Sequence, residues 1–284
     1  MFCYSQPVLR NVFALFFIVA AAQAPASGQL PRAVHLRTTD NVFIGGTYYP
    51  VHQTPAPAVV LVHSVDRDRN VWGSFPALLQ RNGLATLAID LRGYGESTRK
   101  QTADGPVTLD VRTFTAGDFQ NMMLDVETAV DWLHAQPEIN GKRIALIGES
   151  FGANIILRYA AINEDLAAIV VLSPGITYRG VRTDDIIAQI SHKPLRLYVS
   201  QYDPFAFESC KRLVEIQKEA GLATATNELT FCTGNLHGSD MLLGVRNLPQ
   251  LIVNWLKDTL THPPSAPPPA APAVPPASSP VPAK

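Results

Sequence analysis

Five short stretches constrain this chain more than anything else in it: AVVLV at 58–62, ATLAI at 85–89, RIALI at 143–147, AAIVVL at 167–172 and LRLYV at 195–199. Half-exposed strands alternate polar and apolar residues. These runs are apolar almost throughout, the pattern of strands buried on both faces of a parallel sheet. With flanking β-branched segments they predict eight strands: Ala33–Thr38, Val42–Tyr49, Ala58–His63, Ala85–Asp90, Arg143–Gly148, Ala167–Leu172, Leu195–Ser200 and Asn227–Cys232. Helical patterns lie at Trp72–Asn82, Phe114–His134, Phe151–Ala161, Phe205–Ala220 and Ser239–Leu260. In the second of these, Phe119, Met122, Val126, Ala129, Val130 and Leu133 recur at spacings that share one face. From the third strand onward, strand and helix alternate. The expected fold class is therefore α/β: three layers, doubly wound, with a mostly parallel eight-stranded sheet. The first two strands, joined at Asp40-Asn41, read as an antiparallel hairpin on the sheet edge.

The two ends differ from this middle. Arg10, the 11-residue apolar run Val12–Ala22, and small residues through Gly28 follow the order of a secretory signal. The run is shorter than the roughly 18–20 residues a stable membrane span needs. At the other end, ten of the 23 prolines fall between Pro263 and Pro282. Proline removes backbone donors and Ala and Ser bury little, so this stretch is expected to be a disordered tail. The predicted organisation is a signal peptide at 1–28, a catalytic domain at 29–261 and a Pro/Ala-rich tail at 262–284, in a secreted or periplasmic protein. Its 23 basic and 24 acidic residues give a net charge of −1, which lacks the basic footprint of a nucleic-acid binder.

Directly after RIALI comes Gly148-Glu149-Ser150-Phe151-Gly152, followed by a helical pattern. G-x-S-x-G between strand and helix is the signature of a nucleophile elbow. A sharp turn lifts the serine hydroxyl above the sheet, and the two glycines remove Cβ atoms where strand and helix nearly touch. Ser150 is the candidate nucleophile.

A serine needs a base, and the base an orienting acid, in chain order Ser, Asp or Glu, His. Only His192, His237 and His262 follow Ser150. His262 lies in the proline stretch, and His192 precedes a strand, the wrong end for a site at carboxyl edges. His237, in a loop past the last strand, is the candidate base. Asp203, just beyond LRLYVS, is the candidate acid. Asp184 and Asp185 come before that strand and Glu208 lies inside the next helix. The two oxyanion donors are expected from the backbone N–H of Phe151 and of Val65, with Ser64 as the alternative to Val65. His63 reads as a structural ligand of its loop. Metal spacings such as H-E-x-x-H are absent, and a triad requires no cofactor.

On these residues the chain resembles the α/β-hydrolase superfamily over about Val34–Leu260. GESFG matches the elbow and LVHSV the oxyanion segment. LAIDLRGYGES resembles a D-x-R-G-x-G-x-S run that is structural in such proteins, and YDP and LHGSDM resemble the acid and histidine loops. LSPGITYRGV resembles small, dienelactone-hydrolase-like members, though Ser150 stands where true dienelactone hydrolases have Cys. The resemblance implies a small serine esterase. Only Ser173–Lys193, with a helix-like piece at Thr183–Ile190, is available as a lid, so a small cap is expected. The polar segment Arg99–Thr113 is a second candidate to overhang the site.

In an oxidising compartment Cys210 and Cys232 form a candidate disulfide, since both are expected at the catalytic edge; two buried thiols are the alternative. The function expected from the whole is cleavage of carboxylic esters on a small-molecule or acyl substrate. An exopeptidase or amidase on the same triad, and a non-catalytic binding scaffold, are the competing readings.

Overall fold

The computed structural model describes residues 29–221 and 227–261. The expected signal peptide and proline-rich tail lie outside the described residues. All eight expected strands form, as β1 (Arg32–Arg37), β2 (Val42–Tyr49), β3 (Ala56–Val62), β4 (Ala85–Ile89), β7 (Ile139–Glu149), β8 (Ala168–Leu172), β11 (Leu195–Ser200) and β12 (Asn227–Cys232). Between them come β5 (Arg99–Thr102) with β6 (Gly105–Thr108), and β9 (Thr177–Tyr178) with β10 (Val181–Arg182). The ten-stranded sheet runs β12-β11-β8-β7-β3-β4-β2-β5-β6, with β1 also paired to β2. Its pairs are parallel from β12 to β4 and antiparallel beyond.

The α/β-hydrolase fold is thus present, with two strands in its main sheet beyond the eight expected. They come from the polar segment 99–108, which extends the sheet instead of overhanging the site. It pairs Lys100 with Val42 and Arg99 with Phe43, three strands away from β3, and so moves β2 off the edge. Edge strands tolerate polar side chains, so no apolar period marked this hairpin.

The continuous apolar runs cover both faces. Val60, Val62, Leu146, Val171 and Leu197 pack on one side against α3 (Met123–His134), α4 (Phe151–Ile162) and α5 (Pro204–Glu219). Val59, Leu61, Ala145, Ile147, Val170 and Leu172 pack on the other against α1 (Phe75–Arg81) and α7 (Leu248–Thr261). Each buried Val, Leu or Ile side chain contributes about 1.5–3 kcal/mol. The expected helix Phe114–His134 is divided into α2 (Ala116–Gln120) and α3. Thr115 starts α2 with a capping box: its Oγ1 accepts the Asp118 N–H at 3.2 Å, and Asp118 accepts the Thr115 N–H at 2.8 Å. Ser239–Leu260 likewise divides into α6 (Asp240–Gly244) and α7. Among the described residues no helix is long and apolar enough to cross a membrane.

No disulfide joins Cys210 and Cys232. Side chains alternate across a strand, so Phe231 meets Phe207 of α5 while Cys232 turns to the α7 face. Cys210, on α5, belongs to the opposite layer. Both ends of the candidate bridge reach the same edge of the sheet, but on opposite sides of it. Burial also pushes the Cys210 thiol above its ordinary range.

The D-x-R-G-x-G-x-S run is structural. Arg92 is almost fully buried, donates from Nε to Asp125 at 2.9 Å and from its guanidinium tip to Asp40 at 2.8 and 3.0 Å. It thereby ties the β1–β2 turn to α3. Arg92→Ala leaves the fully buried Asp125 without its cation, and we expect a loss of about 3–5 kcal/mol in chemical denaturation. A loss below 1 kcal/mol would remove this tie from the account of stability.

Candidate active site

The elbow is built as the G-x-S-x-G spacing requires. Ser150 joins β7 to α4 at φ 49° and ψ −116°, a left-handed conformation that costs a non-glycine residue about 1–3 kcal/mol. A Cβ on Gly148 would lie 2.6 Å from the Gly152 carbonyl oxygen. One on Gly152 would collide with the carbonyl oxygens of Val62 and His63 on β3 and just after it. Glycine at both places lets the turn close. Ser150 is itself nearly buried.

His237 and Asp203 meet, with His237 Nδ1 2.6 Å from Asp203 Oδ2. Asp203 stands at the N-terminus of α5 but makes no side-chain cap there, so its carboxylate is given to the imidazole. The alternative acids are engaged elsewhere: Asp184 by Arg182, Asp185 by Arg158 and Glu208 by Lys211. His192 pairs with Glu164 at 3.1 Å beside the start of β11, at the far edge.

The histidine loop crosses the carboxyl ends of three adjacent strands and is held at each. Asp203, past β11, takes the His237 Nδ1–H; Ser173 Oγ, past β8, accepts the Gly238 N–H at 3.0 Å; and Glu149, ending β7, accepts the Ser239 N–H at 2.6 Å. Ser173 is fully buried and, like Ser150, has positive φ, at 52°. Glu149 and Ser173 were not singled out from sequence. Glu149 sat unread as a variable letter of the motif.

On the other side, His63 Nε2 accepts the Leu91 N–H at 2.9 Å, so its Nδ1–H donates to the Ser64 carbonyl at 2.6 Å. Burial pushes this imidazole below its ordinary range and keeps it neutral. It is the loop ligand expected. Because the peptide is trans, holding the Ser64 carbonyl on one side aims the Val65 N–H the opposite way. The Ser64 N–H is taken by Glu149 Oε1 at 3.1 Å. Of the two candidate donors, Ser64 is therefore occupied. Among the described residues neither Val65 nor Phe151 N–H is committed to an acceptor.

The hairpin β9–β10 brings Tyr178 to the nucleophile, a contact the sequence did not suggest. Burial pushes its phenol up to about 12, partly opposed by the neighbouring Ser150 side chain. Its ring packs on Phe205 with centroids 5.2 Å apart, and both rings crowd Gly175. The expected helix-like piece at 183–190 forms turns. Among the described residues no group of three His, Cys, Asp or Glu side chains could hold a metal ion.

Residues 53–211 match the family described as serine aminopeptidase, S33. A Mycobacterium tuberculosis protein described only as uncharacterised is 30% identical over 61% of this chain and 56% of its own length. A polyketide transferase of Penicillium sp. is 29% identical over 53% of this chain and 48% of its own. The chain thus spans about half the length of the curated relatives it matches. An esterase of Pyrococcus furiosus superposes over 85% of this chain and 96% of its own, with a TM-score of 0.64 at 21% identity, which speaks to the fold.

Proposed function

Because the chain belongs to the α/β-hydrolase superfamily, in the family described as serine aminopeptidase, S33, we propose that it is a serine hydrolase of carboxylic esters. Ser150 attacks the ester carbonyl carbon while His237 Nε2 takes its proton. His237 then protonates the leaving alcohol, and water repeats the sequence on the acyl-enzyme. Asp203 holds the imidazole with Nδ1–H inward and stabilises its cation. The N–H groups of Phe151 and Val65 bind the oxyanion. The observation that carries this reading is the 2.6 Å Asp203–His237 pair, set on the sheet edge where Ser150 stands strained at φ 49°.

The family's description favours a second reading, an exopeptidase or amidase. An aminopeptidase needs a carboxylate for the substrate's α-ammonium group. The two that face the histidine loop, Glu149 and Asp203, are already engaged by backbone N–H groups and by His237. The same proposal places the enzyme in the periplasm or outside the cell, on the signal-like segment 1–28.

A panel of p-nitrophenyl esters beside aminoacyl p-nitroanilides separates the readings. Ester turnover should exceed anilide turnover by at least about a hundredfold in kcat/KM, some 2.7 kcal/mol at the transition state. The reverse order would replace esterase by peptidase.

A further inference from the structure

We propose that Glu149 is a positioning residue that ties the oxyanion loop and the histidine loop to one carboxylate, so that the two halves of the catalytic apparatus are set together. This rests on the serine-hydrolase reading above.

Glu149 is 1% exposed and immediately precedes the nucleophile. Oε1 accepts the Ser64 N–H at 3.1 Å and Oε2 accepts the Ser239 N–H at 2.6 Å. Ser64 precedes the Val65 donor by one residue, and Ser239 follows the base by two. A displacement at either end therefore reaches a reacting group directly. The histidine loop is shaped to make this approach. Gly238 has φ +55°, and a Cβ there would lie 2.5 Å from Glu149 Oε2, so only glycine lets the backbone come this close. On the other side, the imidazole of His63 holds the Ser64 carbonyl, and so the Ser64–Val65 peptide, while Glu149 holds the Ser64 N–H, and so the peptide before it; both planes flanking Ser64 are fixed.

The chemistry of the two donors explains why a carboxylate stands here. Both partners are N–H groups, and an ionised carboxylate only accepts, at two oxygens. Burying that charge is costly unless such charge-assisted bonds compensate it. A glutamine in its place would have one acceptor oxygen and would turn an NH2 group toward the other N–H. One of the two loops must then be released, without any change of side-chain volume.

The test compares wild type, Glu149→Gln and Ser150→Ala, each exposed to a fluorophosphonate until labelling is complete. Turnover of a p-nitrophenyl ester is then expressed per labelled site. Loss of one oxyanion donor, or about 1 Å of misplacement, costs roughly 100-fold. Glu149→Gln should accordingly lower kcat per labelled site by about 10–100-fold, with KM within about threefold of wild type. A residue that only supports the fold would lower the melting temperature or the labelled fraction and leave kcat per labelled site unchanged. That result overturns the proposal. Should Glu149→Gln be recovered unfolded, Glu149→Asp replaces it. Aspartate keeps two acceptors on a stem one methylene shorter, and its kcat per labelled site is judged by the same two outcomes. Labelling that persists in Ser150→Ala instead overturns the serine-hydrolase reading. The two failures are therefore seen in different variants.

Discussion

Ser150→Ala is expected to lose fluorophosphonate labelling and to lower kcat by about 10⁶-fold, the scale of a lost nucleophile in a triad. The substitution deletes one oxygen from a turn whose shape is imposed by its neighbours. Gly148 and Gly152 set the close approach of strand, turn and helix, and the Ser150 N–H is held by the Leu172 carbonyl at 2.8 Å. Alanine meets the same strain at φ 49° as serine, so the melting temperature should stay within a few degrees. Residual turnover would come from the oxyanion donors and from binding, which the variant retains. A kcat within tenfold of wild type, measured on the best ester of the panel, would remove Ser150 from the mechanism.

The second large effect is expected from Asp203→Asn, at about 10⁴-fold in kcat. Asp203 Oδ2 lies 2.6 Å from His237 Nδ1, and a carboxylate there can only accept. Nδ1 must then carry the proton, and Nε2 is left free to take one from Ser150. An asparagine can turn its NH2 toward Nδ1 instead. The ring proton then moves to Nε2, which can no longer serve as base. The change preserves volume, and Asp203 caps no helix N–H in the native protein, so folding should be little affected. The loss should therefore fall on kcat per labelled serine, not on the amount of folded enzyme. A near-wild-type rate would reassign the acid, although Asp184, Asp185 and Glu208 are each held by a basic side chain.

The parts of this fold that were legible in advance share one physical origin. Strands buried on both faces need apolar residues at every position, and such runs stand out in a sequence. The elbow was legible because its strand, turn and helix are consecutive in sequence, and the close approaches at Gly148 and Gly152 exclude any side chain larger than hydrogen there. The Asp203–His237 pair followed from chain order and strand ends. The hairpin at 99–108 was missed because its strands lie at the sheet's edge, where water satisfies polar side chains and no period develops. Glu149 and Ser173 were missed for another reason. Their partners are backbone N–H groups 85, 90 and 65 residues away, and a backbone donor leaves no trace in residue type. Tyr178 reaches Ser150 only through the β9–β10 turn, whose Arg179 and Gly180 both have positive φ; Arg179-Gly180 marks a turn, but strands of two residues are too short to show a period. For the cysteine pair the sequence left a bridge and two buried thiols open, and geometry decides between them. Sequence placed both thiols at one edge, and the alternation of β12 then put a sheet between them.

That separation bears on how the packed domain responds to reductant. With Cys210 in the α5 layer and Cys232 in the α7 layer, packing of the described residues calls for no bridge between these two thiols. A reductant such as dithiothreitol should therefore leave the stability of this packed domain unchanged.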